Sequence, residues 1–131
     1  MIYLKSDREI EKMRKSAQLV SHTLAEVSKY IEPGIETGKL DVIAEDFVKK
    51  HGARPAFKGY GPASNPFPGT LCISVNEEVV HGIPGNRVLN EGDIVSIDCG
   101  VELDGYFGDH AYTFAVGECS DETWHLLRTT L

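Results

Sequence analysis

Two alternating runs, Ile94 to Leu103 and Tyr106 to Val116, flank the dipeptide Asp104-Gly105. Alternation with a period of two is the pattern of a half-buried strand. Asp-Gly supplies the two positive-φ positions of a tight two-residue turn, so the spacing predicts a β-hairpin. That hairpin constrains the rest of the fold. With a two-residue loop Leu103 faces Tyr106, Asp98 faces Ala111 and Asp109 faces Gly100. Val95, Ile97, Cys99, Val101 and Leu103 then share a face with Tyr106, Tyr112, Phe114 and Val116. This apolar face must be covered.

The opposite face carries Ser96, Asp98, Gly100, Asp109, Ala111 and Thr113. Asp98 and Asp109 are diagonal neighbours on it, with Cα atoms roughly 7–8 Å apart. Like charges on neighbouring strands repel. Three arrangements relieve this: a pair of divalent metals bridged and chelated by the carboxylates, a Lys or Arg partner, or a solvated outer face. The spacing alone does not choose between them.

Helices are expected to cover the apolar face. Ser6 followed three residues on by Glu9 is a capping-box pattern, so a helix starts there. Ile10, Met13, Ala17, Val20, Leu24, Val27 and Ile31 draw one stripe along it, and Pro33-Gly34 ends it. A coiled coil gives the same pattern. A second helix starts after Thr37, with Leu40, Ile43, Ala44, Phe47 and Val48 on its buried face and Gly52 after its last turn. Pro55 to Gly69 reads as a long loop. Leu71, Ile73 and Val75 mark a strand, Asn76-Glu77-Glu78 a turn, and Val79-Val80-His81 a further short strand. Ser120, followed by Asp121 and Glu122, caps a last helix. No Gly or Pro stop precedes Leu131, which predicts a chain that breaks off within a helix; a frayed natural C-terminus is the alternative.

Composition narrows the function classes. Asp plus Glu number 20 against 13 Lys plus Arg, a formal net charge of −7. This argues against nucleic acid or an anionic membrane surface as partner, since both need clustered positive charge. Hydrophobic residues make up 41%, enough for a packed core. No apolar run approaches membrane-spanning length, and the polar N-terminus lacks a signal-peptide core. Three widely spaced cysteines fit a reducing compartment. The expected location is the cytoplasm.

Few other residues point to chemistry. His81, between an apolar pair and Gly82-Ile83-Pro84, has the residue type of a metal ligand, a proton donor or a substrate hydrogen-bond donor; a plain surface histidine is the simpler reading. His22, His51, His110 and His125 stand near no second ligand at a recognisable spacing. Cys72 has no visible Cys–His–Asn context, and Cys99 reads as a small core residue. No phosphate-binding glycine loop or G-x-S-x-G element is present.

The stretch Phe67-Pro68-Gly69-Thr70-Leu71-Cys72-Ile73-Ser74-Val75-Asn76-Glu77-Glu78-Val79-Val80-His81-Gly82-Ile83-Pro84 closely resembles the core of type I methionine aminopeptidases. So do Leu89 to Asp98 and Asp104-Gly105-Tyr106-Phe107-Gly108-Asp109. The resemblance runs through nearly the whole chain. It implies an α/β (α+β) architecture that is half of a pita-bread fold, an antiparallel sheet with two long helices packed on one face. It also implies a dinuclear metal centre that removes the initiator methionine from new polypeptides. Asp98 matches the family's chelating aspartate and Asp109 the bridging one. His81 matches the histidine that hydrogen-bonds substrate or intermediate without ligating metal. Phe67 and Cys72 match positions lining the methionine side-chain pocket, whereas Gly59 to Pro66 forms a longer loop with no assigned pocket role.

The resemblance places the remaining ligands, one His and two Glu, in a second half that would follow Leu131. Residues 1–131 are thus expected to be an N-terminal half supplying two of five ligands. Its two divalent ions (Co, Mn, Fe or Zn) are expected to be weakly bound or absent, and the half alone inactive. The implied partners are N-terminal Met peptides or nascent polypeptides, and either the missing half or a second copy in a homodimer. Two alternatives stay open: a non-catalytic pita-bread binding module, and a proline-specific peptidase or creatine-type hydrolase, against which Cys72 to Pro84 speaks.

Overall fold

A computed structural model describes residues 2–131. Helix α1 (Asp7–Ser28) opens with the expected capping box: the Ser6 hydroxyl accepts from the Glu9 amide and the Glu9 carboxylate accepts from the Ser6 amide. It stops short of Ile31, and the chain turns at Gly34 with φ 97°. Helix α2 (Thr37–Lys50) buries Leu40, Ala44 and Val48 and ends before Gly52. No side chain caps its start. Instead the amides of Thr37 and Gly38 donate to the carbonyls of Arg87 and Gly85, which occupies two donors that a helix start leaves free.

The sheet is built on β3 (Ile94–Leu103). The hairpin partner β4 (Tyr106–Ala115) runs along one edge, with Asp104 and Gly105 both at positive φ in the turn. On the other edge β2 (Leu71–Val75) pairs with Val95–Cys99, and the two-residue β1 (Arg54–Pro55) pairs with Val101 and Glu102. All pairs are antiparallel. The register is the expected one, Asp98 opposite Ala111 and Asp109 opposite Gly100. Among the described residues no strand pairs with the outer edge of β4. Helices α1 and α2 pack on the apolar face over Val95, Ile97, Cys99 and Val101, all fully buried. A last helix, α3 (Asp121–Thr129), starts at Ser120, whose hydroxyl accepts from the Thr123 amide. Among the described residues no helix is long and apolar enough to cross a membrane.

Three expectations need correction. The seam of α1 runs through Ser16, Leu19, Val20, Thr23, Leu24 and Val27, not through Ile10, Met13 and Ala17, which stay exposed. The cause is Gly108. A Cβ there would lie 2.6 Å from the Ser16 carbonyl, so the helix backbone rests directly on β4. The Ser16 hydroxyl donates to the carbonyls of Tyr106 and Leu103 at 2.9 and 3.4 Å, which turns Ser16 toward the sheet. Next, Val79-Val80-His81 is not a strand. Val79 and Val80 are 85% and 65% exposed, and only Gly82 returns to β2, accepting one bond from the Ile73 amide. Finally, the segment read as loop from Pro55 includes the end of β1.

Candidate metal centre

The hairpin fixes the acidic face. Cys72, Asp98 and Ala111 form one cross-strand row, and Ser74, Ser96 and Thr113 form the next, with the Ser96 and Thr113 hydroxyls 2.7 Å apart. Asp109 sits two residue pairs toward the turn, opposite Gly100. The two carboxylates therefore share a face, as diagonal neighbours.

Their electrostatics separates the three arrangements left open by the spacing. Among the described residues neither carboxylate pairs with a Lys or Arg. Nor is Asp98 simply solvated, because its Oδ1 is buried without a hydrogen-bond partner, although Asp109 is exposed. Burial pushes the Asp98 carboxyl above the ordinary aspartate range. The neighbouring Asp109 carboxylate adds to this, while His81 and the Cys99 amide oppose it. A buried, unpartnered carboxylate oxygen beside a second carboxylate suits a hard divalent cation. Asp98 and Asp109 are the residues that would hold it. They make an incomplete set: among the described residues no group of three His, Cys, Asp or Glu could hold a metal ion.

Asp98 lines a cleft of about 460 Å³ together with Cys72, Ser74, Val79, Val80 and His81, and with Leu127 of α3 and Thr130 and Leu131 just past its end. His81 is held at φ 60°, a left-handed conformation uncommon outside glycine. The Cys72 thiol is pushed up to about 11, first by burial and then by the charges of Asp98 and Asp109. It is a poor nucleophile at neutral pH.

The structure thus brings Cys72, His81 and Asp98 together in one cleft and sets Asp109 beside them on the sheet. Phe67 is not part of the cleft wall. It is half-buried, and its backbone closes the Gly59–Pro66 loop by accepting from Gly59 and donating to Tyr60, both at 2.8 Å. Sequence reasoning missed Phe57, whose ring lies on the acidic face over Gly100; a Cβ at Gly100 would come 2.5 Å from Phe57 Cε1. The signal was Gly100 itself, since a lone glycine within a strand often marks a close approach. It also missed Asp41, which accepts from the amides of Thr70 and Leu71, both at 2.8 Å, and so fixes the start of β2. Burial raises the Asp41 carboxyl above its usual range, against those two bonds and Lys58.

Comparison with known proteins adds independent findings. The sequence model of metallopeptidase family M24 matches residues 11–131. A methionine aminopeptidase of Clostridium acetobutylicum is 53% identical over 131 residues, covering 99% of this chain and 51% of that protein. Among solved structures, a methionine aminopeptidase from Rickettsia prowazekii superposes with TM-score 0.93 at 34% identity, and one from Thermotoga maritima with TM-score 0.92 at 44% identity. Each superposition covers 99% of this chain and 51% of the other. The chain therefore spans about half the length of the relatives it matches.

Proposed function

Because the chain belongs to metallopeptidase family M24, we propose that it forms one side of the divalent-metal centre of a methionine aminopeptidase. Asp98 and Asp109 supply its two carboxylates. The observation that carries this reading is the buried Asp98 Oδ1, without a partner, beside a second carboxylate that no Lys or Arg neutralises among the described residues. The high identity to methionine aminopeptidases supports the choice of reaction within the family.

The substrate is the N-terminal methionine of a peptide or nascent polypeptide. Cys72 and the row beside it line the cleft with small, weakly polar side chains, to which we assign the methionine side chain. His81 projects from the loop as a hydrogen-bond donor to the scissile amide or to the charge that develops on its oxygen. When bound, the metal pair lowers the pKa of a water and polarises the carbonyl. Phe57 covers the end of the acidic face at Gly100.

The remaining ligands, one His and two Glu, come from outside these residues. Alone, the chain holds Co, Mn, Fe or Zn weakly and has little peptidase activity, since two carboxylates leave most of each coordination shell to water. The ten residues of β4, unpaired on their outer edge among the described residues, are where a second half or a second copy continues the sheet. The second reading is a non-catalytic pita-bread binding module. Divalent-ion titration of the purified chain separates the two: saturable binding that Asp98→Asn abolishes supports the first, and no binding the second. Cleavage of Met-Ala peptides by the isolated chain in added Mn²⁺ or Co²⁺, at the rate of full-length relatives, would refute the incomplete-centre account.

A further inference from the structure

His81 lies on a loop whose exposed apolar residues contribute little packing to hold it. Val79, Val80 and Ile83 are all more than half exposed. The loop is nevertheless fixed at Gly82. That residue fits so closely on β2 that any Cβ would overlap the Ile73 carbonyl. Both of its backbone polar groups are used: the carbonyl accepts from the Ile73 amide at 2.9 Å, and the amide donates to the Ser74 hydroxyl at 3.0 Å. The Gly82 amide belongs to the same peptide plane as the His81 carbonyl. Whatever holds that amide sets the ψ of His81, and with it the direction in which the imidazole leaves the loop. Ser74 is only 3% exposed, and it sits in the cross-strand row next to Cys72 and Asp98.

We propose that Ser74 is a positioning residue: its hydroxyl locks the His81–Gly82 peptide plane and thereby holds the imidazole at the cleft beside Asp98. The role rests on reading His81 as the substrate-facing donor, but its geometry can be tested without metal or peptide. A second pin, the Thr37 hydroxyl bonded to both the amide and the carbonyl of Gly85, holds the far end of the loop, so the loop stays attached when the first pin is removed.

The test compares the wild-type chain with Ser74→Ala and Ser74→Thr by NMR. In Ser74→Ala, the Gly82 amide is expected to exchange about tenfold faster, as a local opening does. The His81–Gly82 sequential contacts and the His81 ring resonances should move toward those of a flexible loop, while β3–β4 amides keep their protection. Ser74→Thr, which retains the acceptor, should restore all three. The proposal is overturned if Ser74→Ala leaves the His81 signals in place, if it loosens the β2–β3 amides as much as Gly82, or if a folded Ser74→Thr behaves like alanine. Should the alanine chain not fold, Ser74→Cys, a similar shape with a weak acceptor, carries the same comparison. None of these outcomes depends on metal binding, so this proposal and the metal reading fail separately.

Discussion

Asp98 and Asp109 lie on one face of the β3–β4 hairpin, opposite Ala111 and Gly100, and Asp98 keeps one oxygen buried without a partner. A fold that holds two carboxylates together, with no Lys or Arg to offset them among the described residues, loses stability unless something else does so.

That loss has a pH signature. With its pKa raised in the fold, Asp98 binds its proton more tightly in the folded than in the unfolded chain. Folding stability therefore falls as pH rises from the ordinary aspartate range through the raised folded value, and stays low above it. Asp98→Asn should stabilise the metal-free chain at neutral pH, modestly, because the carboxyl is partly solvated. The gain should vanish in acid below the ordinary aspartate range. Urea melts at neutral and acidic pH check this; equal effects at both would contradict it.

Cys72 should be slow to alkylate. Its thiol, pushed up to about 11, carries almost no thiolate at neutral pH, and Cys99 is fully buried. Cys119, only partly buried, should react first. Because Asp98 is the largest charge acting on Cys72, Asp98→Asn should speed labelling of Cys72 severalfold. Mass-resolved alkylation time courses read both effects.

Gly108→Ala should destabilise the chain by about 1–3 kcal/mol, because its methyl would press on the Ser16 and Ala17 backbone rather than on a flexible side chain. Ser16→Ala should cost about 1–2 kcal/mol through the lost bonds to Tyr106 and Leu103. Exposed Met13→Ala should cost less than either. Denaturant midpoints rank the three.

The outer edge of β4 should pair chains. A second copy added there would give a dimer by sedimentation at high concentration, and Phe107→Lys, a charge on the exposed edge, should shift it toward monomer. A monomer at every concentration would contradict the pairing.

The hairpin was legible in the sequence because a two-residue turn fixes its register, and that register alone put Asp98 and Asp109 on one face. What the sequence concealed lies in close approaches between distant segments. Gly108 against Ser16 moves the α1 seam by one residue, which no helical periodicity reports. Gly82 against Ile73 replaces a strand at Val79-Val80-His81 with a pinned loop. Phe57 reaches the acidic face by crossing to Gly100, far from it in sequence, whereas Phe67 serves to close its own loop. β1, two residues long, is too short to leave a pattern.

The most direct test is paramagnetic broadening of amide signals as Mn²⁺ is added to the isolated chain. Selective broadening around Asp98, Asp109 and Cys72, lost in both Asp98→Asn and Asp109→Asn, is the result predicted. Broadening spread over the other surface carboxylates, or unchanged in either variant, would contradict a shared metal site on this hairpin.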